Sequence, residues 1–125
     1  RAWISSSLAI SPREQVAFLR KLVTGRLPVS QAAMDKTMRI VATTRAGGGW
    51  RVSGKTGGAY PRKADGSFDR ARGFGWFVGW AVRGERRLVF ARLAQDETRQ
   101  AGSPGIRTRD AFLKAWLSLA ATIAP

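Results

Sequence analysis

The stretch from Gly47 to Pro61, GGGWRVSGKTGGAYP, decides how this chain is read. From Gly49 through Gly54, Lys55 and Thr56 it spells G-x-x-x-x-G-K-T, the letters of a phosphate-cradling loop. Such a loop needs a buried strand before its first glycine, flexible residues across its span, and a helix after the lysine whose free N–H groups meet the phosphate. Here the span is filled by Trp50-Arg51-Val52-Ser53, which suits a strand. Gly57-Gly58-Ala59-Tyr60-Pro61 follows Thr56 and cannot start a stable helix. The segment before Gly49 also lacks the apolar run of a buried parallel strand. The alternative is a strand over Trp50 to Lys55, with Lys55 pointing from its end into a cleft, Thr56 offering a hydroxyl, and Gly57 and Gly58 letting a substrate lie against the backbone. On the tripeptide Lys55-Thr56-Gly57 alone, a surface lysine beside a hairpin turn is the plainer account.

Outward from this stretch, Ser11-Pro12-Arg13-Glu14-Gln15 has the capping residue, first-turn proline and acid of a helix start. Val16, Phe18, Leu19, Leu22 and Val23 then recur at helical spacing until Gly25. A second helix is expected from Ser30, carrying Ala33, Met34, Met38 and Val41, and the glycines at 47 to 49 end the helical part. Toward the C-terminus, Phe74 to Val82 and Arg87 to Leu93 read as strands joined by a tight turn at Arg83-Gly84-Glu85. From Arg109 on, Phe112, Leu113, Trp116, Leu117 and Ile123 form the apolar stripe of a closing helix. The expected order is helix, helix, three antiparallel strands, helix, an α+β arrangement with a helical part over 1–46, strands over 47–93, and a loop and helix over 94–125. Three strands leave two raw sheet edges, which invite pairing with another segment or chain.

Composition narrows the chemistry. The 125 residues make one domain or part of one, and 44% apolar content with five Trp suits a packed core. There is no Cys and no His, which excludes disulfides, thiolate metal sites, a Ser-His-Asp triad and H-E-x-x-H zinc chemistry. Catalysis must therefore use Lys, Ser, Thr, Arg, carboxylates or a borrowed group. Net charge is +14, from 22 Lys+Arg against 8 Asp+Glu. The basic residues form no block, and coding bias toward Arg explains the spread as well as a nucleic-acid face does. The chain opens at Arg1-Ala2-Trp3 without an initiator Met or leader, so it is expected to be a processed product or a piece of a longer protein. The uncharged run from Ala115 to Pro125 is too short to span a bilayer, and a soluble protein with no membrane partner is expected.

The segments AWISSSLAISPREQVAFLRKLVTGRLP, GWRVSGKTGG, FGWFVGWAVRGERRLVFARLAQD and GIRTRDAFLKAWL, in this order and spacing, resemble the C-terminal half of class D serine β-lactamases, with Lys55-Thr56-Gly57 as the strand motif of penicillin-recognising enzymes. The resemblance covers nearly the whole chain, and its most specific pieces are the I-S-x-x-E-Q-x-x-F-L-x-x-L helix and the G-W-x-V-G-W strand. It implies the penicillin-recognising fold, with helices, a three-stranded antiparallel segment and a C-terminal helix packed on the sheet. By the same resemblance, Trp3 supports the carboxylated lysine that serves as general base, and Ile4 shields it. Lys55 and Thr56 raise the positive potential and hydrogen-bond the substrate carboxylate, with Gly57 beside them. Gly58 donates one backbone N–H of the oxyanion hole, and Arg109, with Arg107 as the other candidate, pairs with the β-lactam carboxylate.

One departure matters. No Ser has a Lys three residues later, and the family's Ser-x-Val and Tyr-Gly-Asn elements are absent. The resemblance therefore implies the substrate-orienting wall of a β-lactamase without its nucleophile and base, inactive alone and completed by a companion N-terminal segment pairing beside the strand from Arg87 to Leu93. It implies no metal or dissociable cofactor, the family's carboxylated lysine not being in this chain, and a periplasmic or secreted setting. A homodimer is compatible with it. The alternatives are a β-lactam sensor or penicillin-binding domain of the same fold, and a basic nucleic-acid-binding domain. The segment from Tyr60 to Arg72 is expected to shape one rim of the cleft.

Overall fold

The computed structural model describes residues 9–123. Helix α1 (Pro12–Val23) starts where the local chemistry dictates. The Ser11 hydroxyl accepts the Glu14 N–H at 3.2 Å, and the Glu14 carboxylate accepts the Ser11 N–H at 2.8 Å, so two otherwise orphaned donors are satisfied. The Ser11 backbone N–H, with the Ser11 hydroxyl donating to the same carboxylate at 2.7 Å, holds the Glu14 carboxyl below the usual carboxylate range. Gly25, with φ of 69°, turns the chain out of the helix. Ser11→Ala in the complete protein is expected to cost about 1 kcal/mol, read from urea midpoints. Because a lowered carboxyl contributes stability above its ordinary value and loses it as the pH falls through the lowered one, the gap between wild type and variant should narrow in acid.

Helix α2 (Gln31–Ile40) is capped by Ser30, whose hydroxyl accepts the Ala33 N–H at 3.2 Å. It ends before Val41, which is extended, and the chain enters a short strand β1 (Thr43–Arg45) inside the span expected to be helical. All three residues of β1 are exposed, so no burial alternation marks it. Pairing with the next strand (Thr43 opposite Ser53, Arg45 opposite Arg51) decides it, helped by a 2.7 Å bond between the Thr43 and Ser53 hydroxyls.

Strands β2 (Arg51–Ala59), β3 (Phe74–Arg83) and β4 (Arg86–Gln95) complete an antiparallel sheet of order β1-β2-β3-β4, four strands where three were expected. β2 runs four residues past Lys55, so Lys55-Thr56-Gly57 lies within a strand. Glycine faces glycine at 54/79 and 58/75, which keeps these backbones close. An added Cβ on Gly54 would meet the Phe77 ring at 2.5 Å. Helix α3 (Pro104–Ile123) starts at Pro104, five residues before Arg109.

The sheet is covered on both faces. On one, Trp50, Val52, Phe77, Ala81 and Phe90 pack with Phe112, Trp116 and Ala120 of α3. On the other, Trp80 packs with Leu19, Leu22, Val23 and Met34 of α1 and α2. Phe18, expected in the α1 core stripe, is 45% exposed, and Leu117 and Ile123 of α3 are also exposed. The outer edge of β4 has no partner strand among the described residues, as expected of a raw edge. β1 covers β2 only along Arg51–Ser53. Among the described residues no helix is long and apolar enough to cross a membrane.

Candidate functional site

The direction of each group on β2 follows from strand alternation. The Gly54 N–H donates outward, across the β1 side, to the Ala42 carbonyl at 3.1 Å. With a period of two, the N–H and C=O groups of Thr56 and Gly58 point to the same side, where β1 no longer runs. The strand therefore offers a short row of backbone donors and acceptors along an edge without a partner strand among the described residues.

Side chains alternate between the two faces. Lys55 and Gly57 stand opposite Val78 and Trp76, on the face covered by α1 and α2. Thr56 and Gly58 stand opposite Phe77 and Gly75, on the α3 face. The Lys55 ammonium donates to the Thr56 carbonyl at 2.8 Å and makes no ion pair with a described residue.

α3 reaches this edge because glycines admit it. A Cβ on Gly105 would lie 2.5 Å from the Gly57 carbonyl oxygen, and one on Gly75 would collide with the Pro104 carbonyl and the Thr108 hydroxyl. The first turn of α3 thus lies on bare strand backbone. The helix then runs back along β2 until Trp116 meets Trp50 edge-on, with centroids 5.3 Å apart. Arg109 follows one helical turn beyond Gly105 on the part of α3 that runs back along β2.

The two arginines of this turn do different things. Arg107 donates to Asp96 at 2.6 Å, to the Gly102 carbonyl at 2.9 Å and to the Ala101 carbonyl, tying down the loop between β4 and α3. Among the described residues Arg109 bonds only its neighbour Asp110, at 2.8 Å, with its side chain 40% exposed. An exposed pair of this kind is worth little, so the guanidinium can turn to another anion at small cost.

On the Lys55 face, the start of α1 and the ends of β3 and β4 border an open cleft of about 630 Å³ lined by Ile10, Glu14, Phe74, Trp76 and Leu93. Trp76 was not singled out from the sequence, although the alternation of FGWFVGW places it on the Lys55 face. Trp3 and Ile4 lie outside the described residues. Among the described residues no cluster of three His, Cys, Asp or Glu offers a metal site.

The family model of the penicillin-binding-protein transpeptidase domain matches residues 1–117. The β-lactamase OXA-9 of Klebsiella pneumoniae is 40% identical over 113 residues, which are 90% of this chain and 41% of that protein. The crystal structure of the class D β-lactamase OXA-427 superposes with a TM-score of 0.77 at 38% identity, covering 94% of this chain and 48% of that one. The C-terminal domain of the BlaR penicillin receptor of Bacillus licheniformis superposes with a TM-score of 0.66 at 27% identity, covering 88% and 42%. The chain spans less than half the length of each of these relatives.

Proposed function

We propose that this chain, which belongs to the penicillin-binding-protein transpeptidase family, is the C-terminal, substrate-orienting part of a class D serine β-lactamase. The carrying observation is the outer edge of β2 at Thr56 and Gly58, which has no partner strand among the described residues and against which the first turn of α3, the helix that bears Arg109, is packed. A β-lactam carries a carboxylate fixed next to a strained amide. A charge-assisted contact from Arg109, with the Thr56 hydroxyl and the field of Lys55, holds the carboxylate while the strand edge positions the carbonyl. The outward Gly58 N–H is one donor to the developing oxyanion, a group typically worth ~10²–10³ in rate. Gly57 keeps the strand free of side chains there. Arg107 is committed to the β4–α3 loop, which favours Arg109 as the carboxylate ligand.

The nucleophilic serine and its base belong to a part of the protein outside this chain, which pairs along β4. Trp3 supports that base. The serine oxygen bonds to the lactam carbonyl carbon, the C–N bond opens and its nitrogen takes a proton; water then hydrolyses the ester and frees the serine. No metal or dissociable cofactor enters, and the setting is periplasmic or secreted.

The test is the complete protein incubated with a penicillin, followed by ring-opening absorbance and intact mass. Turnover with a transient acyl adduct is the expected result. Absence of both adduct and turnover would remove the reading. A long-lived adduct with negligible turnover would identify a receptor, the activity that the BlaR likeness makes the second reading.

A further inference from the structure

Beyond the end of β2 lies a second cavity, of about 430 Å³, between the β2–β3 loop and the β4–α3 loop. Tyr60, Arg70, Arg99, Gln100, Ala101 and Gly102 line it, and none of the six is acidic. Tyr60 directly follows the strand, two residues past Gly58, which places the cavity mouth about 7 Å along the strand direction from the proposed oxyanion donor.

Both walls are held. The Tyr60 ring is wedged where a Cβ on Gly73 would touch it at 2.8 Å and Pro104 at 3.1 Å. The Arg70 guanidinium lies over that ring, 4.6 Å from its centroid, with the Phe68 ring 5.8 Å away. A cation over a ring face is held by the ring's quadrupole and keeps its N–H donors for other partners. Across the cavity, the loop bearing Arg99 is strapped by Arg107 to Asp96 and to the Ala101 and Gly102 carbonyls, so the nearby carboxylate is already spent. Neither Arg70 nor Arg99 makes a hydrogen bond or ion pair with a described residue. Two guanidiniums with unused donors thus line one cavity together with Tyr60 and with Gln100, whose amide also donates to the Thr98 hydroxyl at 3.0 Å, a set of residues suited to a compact oxyanion.

We propose that the cavity between Arg70 and Arg99 is an anion subsite that takes a second carboxylate or sulfonate carried on the side chain of the bound β-lactam. The substrate assignment rests on the β-lactamase reading above; the anion site itself does not.

The experiment uses the complete protein and an Arg70→Ala/Arg99→Ala double variant, both positions being exposed and outside the packed cores. Two β-lactams differing only in a side-chain carboxylate are compared, and inorganic phosphate binding is measured by calorimetry at constant ionic strength. The variant is expected to lose about tenfold in kcat/KM on the carboxylate-bearing compound, carried by KM. On the neutral compound it should stay within about twofold. Phosphate should bind the wild type only and compete with the carboxylate-bearing compound. Phosphate binding lost in the variant without substrate discrimination would keep the anion site and reject the substrate as its source. The same loss with neither compound acylating or turned over would sink the β-lactamase reading and leave the site standing. Equal kinetics on both compounds with no phosphate binding would overturn the proposal.

Discussion

Trp116→Ala in the complete protein is expected to lower stability by about 3–5 kcal/mol, the range for truncating a buried aromatic. Trp116 is 1% exposed and sits at the centre of the α3 face of the sheet. Its ring meets Trp50 at 5.3 Å, Phe112 at 5.5 Å and Phe90 at 6.2 Å, so its removal opens a cavity bordered by three rings that cannot all collapse into it. The effect reaches the site, because this contact anchors the far end of the helix whose first turn rests on Gly57. Trp116→Phe separates volume from polarity. The indole N–H is buried without a partner among the described residues, and phenylalanine removes it while keeping most of the ring contacts. Trp116→Phe should therefore cost much less than Trp116→Ala. Denaturant unfolding of the two variants decides it, and equal losses would show that the ring packing is not what matters.

Arg109→Ala is expected to cost about 1.5–3 kcal/mol in kcat/KM for a β-lactam, roughly ten- to a hundredfold, as for a hydrogen bond to a charged group. Little folding stability should be lost, because among the described residues the only bond Arg109 makes is to an adjacent exposed carboxylate. Arg107→Ala is the control with the opposite signature. It releases three contacts that hold the β4–α3 loop and should lower the melting temperature. Steady-state kinetics and thermal melts on both variants separate the roles. An unchanged kcat/KM in Arg109→Ala would take that residue out of the site.

The start of α1 was legible residue by residue, since Ser11, Pro12 and Glu14 act on each other across three positions and need nothing distant. The start of α3 has a serine before its first proline, Ser103 before Pro104, but no acid in its first turn, and it lies five residues ahead of Arg109, from which the apolar stripe of Phe112 and beyond is read. β1 had no such signal. Its three exposed residues become a strand only because Arg51–Ser53 lie beside them. Phe18 fits the helical spacing of α1 yet faces out, since periodicity alone leaves the width of the buried stripe open.

For the site, the sequence by itself determined that Trp50 to Lys55 is a strand with Lys55 at its end, because its residues alternate as an extended backbone requires. It also determined that the phosphate-loop letters lack a following helix, because glycines and a proline cannot start one. Only the tertiary structure decided that β2 continues through its glycines, that its outer edge has no partner strand from Lys55 onward among the described residues, and that Arg107 is tied to Asp96 and the β4–α3 loop while Arg109 pairs with its neighbour Asp110. Those outcomes depend on groups far apart in the chain, Gly57 against Gly105 and Asp96 against Arg107, and no local preference distinguishes two arginines two residues apart.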